Sequence, residues 1–199
     1  MRKIILASQS PRRRELLCDI VSEFEIIPSN ADETVPSSVD VKDIPQYLSL
    51  LKARDIAKKY SDDIVIGADT IVVVDDKVLN KPKDAEDARR MLRMLSGRRH
   101  KVCTGCAIVC GERKLSFFEE TEVEFFELSE SEIDSYIKTG DCMDKAGAYG
   151  IQEWIGCVGV TSINGSYYNV MGLPVQRLNL ELQAFMNEES NSYVDNFIY

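Results

Sequence analysis

The chain has 199 residues, 44% of them hydrophobic and 29% charged, enough for one sizeable core or for two lobes sharing a cleft. Its 33 acidic and 24 basic residues leave a net charge of −9, which disfavours nucleic acid and anionic lipid surfaces as partners. That balance does not exclude a small anion held in a locally basic pocket.

Apolar runs such as residues 64–66 and 71–74 fall far short of the ~18 residues of a membrane span. The apolar stretch after Arg2-Lys3 is too short for a signal peptide. Six scattered cysteines and a single histidine point to reduced thiols in a cytoplasmic protein rather than a disulfide framework or a zinc site.

In chain order, residues 3–7 read as a short apolar strand. A helix follows over 11–18, with Ser10 suited to cap it and Pro11 to its first position. Residues 24–28 read as a second strand and 31–41 as a polar, turn-rich connection. The next helix spans 44–59, with Ile44, Leu48, Leu51 and Ala57 along one side. Residues 63–74 form a strand interrupted at Gly67-Ala68-Asp69-Thr70, and Asp75-Asp76 turns the chain back into a strand over 77–79. Asp84 caps a helix striped by Ala85, Ala88, Leu92 and Leu95, which Gly97 ends.

Strands over 101–110 and 115–128 come next. Ser129-Glu130-Ser131-Glu132 has the pattern of a capping box and opens a helix that ends near Gly140. Residues 157–163 and 166–170, joined at Asn164-Gly165, are predicted to form a hairpin. Pro174 begins a last helix to about 187, followed by a polar tail over 188–199. Intermixed strands and helices with local hairpins predict an α/β fold with a mixed twisted sheet and flanking helices.

Four segments carry candidate chemistry. Ser8-Gln9-Ser10-Pro11-Arg12-Arg13 brings two hydroxyls and two guanidiniums to a helix N-terminus, a setting that suits an anion. A capped helix with solvated arginines explains it equally well. Asp69 places a carboxylate inside an apolar strand, where its burial must be compensated. Metal coordination, general-base work or a backbone cap would each do so. Lys52, Lys81 and Glu33 are charged residues among apolar or turn residues, and each alone reads as a solvated side chain. Asp144–Gln152 is rich in small residues, and Gln152 offers a donor and an acceptor on one amide.

Three further features read as structural. Cys103 and Cys106 form a C-x-x-C, but inside a strand residues three apart face opposite ways. His100 lacks a nucleophile partner. Trp154 reads as a packing residue.

Taken together, the motifs resemble the Maf family of nucleoside triphosphate pyrophosphatases. They are LASQSPRRRELL (6–17), ADE (31–33), LKA (51–53), GADTIV (67–72), NKPKD (80–84), MLRMLSGRRHKVCTG (91–105), DKAGAYGIQ (144–152) and INGSYYNVMGLP (163–174). The resemblance implies one catalytic domain over 1–187, similar in fold to the inosine triphosphate pyrophosphatases, with two lobes around a deep cleft. It implies hydrolysis of a nucleoside triphosphate to the monophosphate and pyrophosphate with a divalent cation, Mg²⁺ or Mn²⁺, and a homodimer.

By the same resemblance Asp69 is the catalytic carboxylate and Glu33 its acidic partner, together the metal-associated pair. Lys52 and Lys81 belong to the catalytic centre. Ser8, Ser10, Arg12 and Arg13 match the substrate-binding turn. Arg12, Thr70 and Gln152 resemble the dTTP/UTP branch of the family. A nucleotide-binding regulator of cell division or septum formation is the alternative that the resemblance carries. Asn80 and the acidic-polar tail depart from the family pattern.

Overall fold

The computed structural model describes residues 2–194. Strand β1 (Ile4–Leu6) runs directly into helix α1 (Pro11–Cys18). Ser10 caps this helix by accepting the Arg13 backbone N–H, with Pro11 in the first turn as predicted. Strand β2 is only Glu25–Ile26, shorter than the predicted segment, and forms an exposed edge paired with Ile5 and Leu6 of β1. Helix α2 (Ile44–Ala57) buries Leu48, Ser49, Ala53, Ile56 and Ala57, so its buried face is rotated from the predicted stripe.

Strand β3 (Ile64–Val74) is continuous. The predicted interruption at residues 67–70 does not occur, because Asp69 and Thr70 stay in register with Gly105 and Thr104 of the neighbouring strand. Asp75 and Asp76 both adopt positive φ, as a tight hairpin turn requires. They lead into β4 (Lys77–Leu79). Helix α3 (Ala85–Leu95) is capped by Asp84. Strands β5 (Arg99–Cys110) and β6 (Arg113–Phe125) form a long antiparallel pair. Helix α4 (Glu130–Thr139) opens on the predicted capping box of Ser129 and Glu132.

The predicted hairpin over 157–170 is not formed. Its first half ends helix α5 (Trp154–Gly159) and continues as β7 (Val160–Asn164), while its second half is helix α6 (Tyr167–Met171). Ser166 caps α6 by accepting the Asn169 N–H. Fully buried Asn169 donates from Nδ2 to the Val102 carbonyl and to Thr121 Oγ1. These polar contacts come from strands more than forty residues away, beyond the reach of a local β pattern. Helix α7 (Val175–Val194) runs past the predicted end at 187, since no glycine or proline follows Pro174. Of the predicted tail, residues 188–194 therefore belong to this helix, and 195–199 lie outside the described residues.

The seven strands form one mixed sheet in the order β2-β1-β3-β5-β6-β7, with β4 added beside β3. Strand β1 is parallel to both neighbours, and the remaining pairs are antiparallel. The long strands serve two lobes. In one half, Val65, Ala107 and Val109 pack on Ala53 and Ile56 of α2. On the opposite face Ile64, Ile66, Cys106 and Ile108 pack on Leu16 and Leu17 of α1 and Leu178 and Leu182 of α7. This alternation follows the two-residue period of a strand. In the other half, Val72, Val74, Val102 and Phe125 pack on Leu92 and Leu95 of α3 and on Ile133 and Tyr136 of α4.

Candidate active site

A cleft of about 830 Å³ opens between the two halves. The β1–α1 turn places Ser8, Ser10, Arg12 and Arg13 on its wall, α2 adds Lys52, and β3 adds Asp69 and Thr70. Glu33, Lys81 and Gln152 reach it from connecting segments. Every residue that the sequence nominated for catalysis, substrate or metal thus lines one cavity.

Its base is built by close approach of α2 to the sheet. A Cβ on Gly67 would overlap the Ser49 carbonyl oxygen, and one on Gly105 the Pro45 carbonyl. Two glycines on adjacent strands therefore let the helix backbone settle onto β3 and β5. That proximity brings Lys52 Nζ within 2.6 Å of Asp69 Oδ1. The same ammonium lies 2.9 Å from Glu33 Oε2. Asp69 is 9% exposed, and the lysine compensates its burial. The Asp69 Oδ2 atom has no hydrogen-bond donor among the described residues and remains for a water or a ligand.

Arg13 is turned inward. Its Nε donates to the Gly172 carbonyl at 2.9 Å, Nη1 to the Ala68 carbonyl at 2.9 Å and to Ser8 Oγ at 3.2 Å, and Nη2 to Thr70 Oγ1 at 2.9 Å. Four of its five N–H donors are spent on the protein. Arg13 thereby ties α1 to the strand that carries Asp69. Burial lowers its pKa from the ordinary arginine value, against the opposing charge of Asp69. Thr70 Oγ1 also meets Thr104 Oγ1 at 3.0 Å across the β3–β5 ladder. Arg12 points the other way and pairs with Asp144 Oδ2 at 2.8 Å. Lys81 has no ion-pair partner among the described residues.

Two residues at the cleft were not singled out from the sequence. Asp144 and Lys145 line its far wall, and Lys145 is 6% exposed. The sequence signal was present in the charged pair that opens the small-residue segment 144–152. Their partners Arg12 and Glu153, however, lie outside that segment.

The C-x-x-C thiols and the histidine belong to the packed interior. Cys103 and Cys106 are buried and free. Burial pushes their thiols up to about 11 and about 12, which suppresses the reactive thiolate. His100 is buried, with Nε2 2.8 Å from the Tyr149 hydroxyl and its ring edge-on to Phe125 and Tyr149. Trp154 is half exposed rather than packed in the core.

Among the described residues no group of three or more His, Cys, Asp or Glu side chains is arranged to hold a metal ion. Glu33 and Asp69 flank the Lys52 ammonium and face the cleft. Two carboxylates fit a hard cation that takes its remaining ligands from substrate phosphates and water.

A family model described as Maf-like protein matches residues 3–185. The chain belongs to the Maf family. It is 49% identical over 185 residues to a dTTP/UTP pyrophosphatase of Bacillus cereus (strain B4264), covering 93% of this chain and 96% of the relative. It is 50% identical over 186 residues to a dTTP/UTP pyrophosphatase of Cytophaga hutchinsonii, covering 94% and 85%. Among solved structures it is similar to a HAM1 protein from Coxiella burnetii, with a TM-score of 0.52 at 17% identity, covering 92% of this chain and 100% of the other. That likeness concerns the fold alone. No helix among the described residues is long and apolar enough to cross a membrane.

Proposed function

We propose that this Maf protein is a dTTP/UTP pyrophosphatase that hydrolyses its substrate to the nucleoside monophosphate and pyrophosphate. The observation that carries the reading is the Lys52–Asp69 pair at 2.6 Å within a cleft that also gathers Ser8, Arg12, Lys81 and Gln152. The names of relatives about half identical over nearly the whole chain supply the substrate.

In this reading the triphosphate lies along the β1–α1 turn, where the hydroxyls of Ser8 and Ser10 and the helix N-terminus donate to phosphate oxygens. Arg12, Lys52 and Lys81 neutralise the charge that grows on the leaving pyrophosphate, the dominant requirement in phosphoryl transfer. Asp69 orients a water at the α-phosphorus through Oδ2 and takes its proton, while Lys52 holds Oδ1 and fixes the carboxylate. Glu33 and Asp69 would hold Mg²⁺ or Mn²⁺ together with the phosphates. When bound, the cation adds charge neutralisation and makes water a better nucleophile. The Gln152 amide matches the adjacent O4 and N3–H of uracil or thymine with one donor and one acceptor.

The protein is read as a cytoplasmic homodimer. Six free cysteines support the reducing compartment, and the family resemblance supports the dimer.

The test is Asp69→Asn, which keeps the shape and removes the base. Turnover of UTP falls by about 10³-fold, while UTP binding by calorimetry stays within a few fold. A variant with near wild-type turnover would remove Asp69 from the chemistry.

A further inference from the structure

The far wall of the cleft is held by a chain of charges that the proposed chemistry does not use. Lys145 Nζ donates to the Asp141 carbonyl at 2.5 Å and to Asp144 Oδ1 at 2.6 Å, and it pairs with Glu153 Oε1 at 2.6 Å. An ammonium has three N–H donors, so all are engaged within residues 141–153. Glu153 Oε2 accepts from the Tyr136 hydroxyl, and that hydroxyl accepts the Gly150 N–H at 3.3 Å. Across the cleft, Asp144 Oδ2 accepts from Arg12 Nη1 at 2.8 Å and the Asp144 carbonyl from Nη2 at 3.4 Å. Asp144 is the link that belongs to both walls.

The loop it joins is held in an unusual shape. Gly147 and Ala148 have φ of 70° and 61°, a region that non-glycine residues rarely occupy. A Cβ on Gly147 would sit 2.9 Å from Val72 Cγ2. Gln152 lies beside Glu153 at the end of this loop. An exposed ion pair alone contributes little. Here, however, the two cations on Asp144 are only 19% and 7% exposed at their side chains, and each grips a different element. Burial would raise the Asp144 pKa, but the hydrogen bonds from Lys145 and Arg12 outweigh it and hold the group below the usual carboxylate value.

We propose that Asp144 is a specificity-determining positioning residue. By gripping Arg12 on one side and Lys145 on the other, it fixes the span between the phosphate-binding turn and Gln152. The cleft then accepts a pyrimidine base and rejects a purine. This inference rests on the pyrophosphatase reading above.

A double-mutant cycle tests it. Asp144→Asn, Arg12→Ala and the double variant are assayed for kcat and KM with UTP and with GTP, alongside melting temperature. The ratio of kcat/KM for UTP over GTP falls about tenfold in Asp144→Asn, with the loss mainly in KM. The double variant is no less selective than Arg12→Ala alone, because Asp144 acts through that arginine. A merely structural role for Asp144 lowers the melting temperature and cuts both substrates equally.

Arg12→Lys is the second variant, and it leaves the loop sequence intact. It keeps the charge but loses the two-point grip on Asp144, and selectivity falls about threefold. An unchanged UTP preference in Asp144→Asn or Arg12→Lys overturns the proposal, as do independent effects in the double variant. If the wild-type protein cleaves UTP with no preference over GTP, the positioning role falls while the pyrophosphatase chemistry stands. If it cleaves neither, both fall.

Discussion

Two lysines in the cleft each bridge a pair of carboxylates, and the difference between them separates the proposed chemistry from the scaffold. Lys52 contacts Asp69 and Glu33, so one of its three N–H donors is left for a ligand among the described residues. It sits on a helix seated against the sheet by Gly67 and Gly105. Lys145 spends all three donors inside one loop and holds the chain in a shape that the backbone alone disfavours. Similar charge clusters thus differ, one open to the cleft and one closed on itself. The decisive quantity is the number of uncommitted donors.

Replacing each lysine by methionine sharpens this contrast. Lys52→Met lowers kcat/KM for UTP by about 10³-fold, since it removes charge from the transition state, and it also lowers the melting temperature because buried Asp69 loses the partner that compensates it. Lys145→Met acts chiefly on stability, costing about 2 kcal/mol by denaturant titration. That is below the full cost of breaking a buried pair, because Asp144 is half exposed. Equal loss of turnover in both variants, with stability unchanged, would erase the distinction.

Behind the Lys145 loop, Tyr149 meets the buried His100. Burial lowers this imidazole from 6.5 to about 4, so the folded state prefers it neutral. The unfolded chain binds the proton more readily. The stability His100 contributes is therefore present above pH 6.5 and is lost as pH falls towards 4, by about 3 kcal/mol. Unfolding free energies across that window show this slope in the wild type, and a shallower one in His100→Gln. Identical slopes would show that His100 is protonated as easily in the fold as outside it.

The contrast between the two walls also marks what the sequence could disclose. The Asp69 side was legible because its signals are local. Ser10 and Pro11 start α1 as their types require, and the GADT segment announced a carboxylate in an apolar strand. The strand interruption predicted there is absent, because glycine at 67 admits a neighbouring helix rather than breaking the strand. The Asp144 side was not legible, since Arg12 lies 132 residues from its partner and no short pattern encodes that pairing. The same applies to residues 166–170, whose β-like composition yielded to a Ser166 cap and the buried contacts of Asn169. The inward turn of Arg13 likewise follows from acceptors on β3 and at Gly172, which lie far away in sequence.

In the proposed reaction water attacks the α-phosphorus and pyrophosphate leaves. Hydrolysis of UTP in ¹⁸O-labelled water, with products resolved by mass spectrometry, tests it most directly. Attack at the α-phosphorus yields UMP carrying one ¹⁸O and unlabelled pyrophosphate in equal amounts. Label in the pyrophosphate, or UDP with labelled orthophosphate, would contradict it.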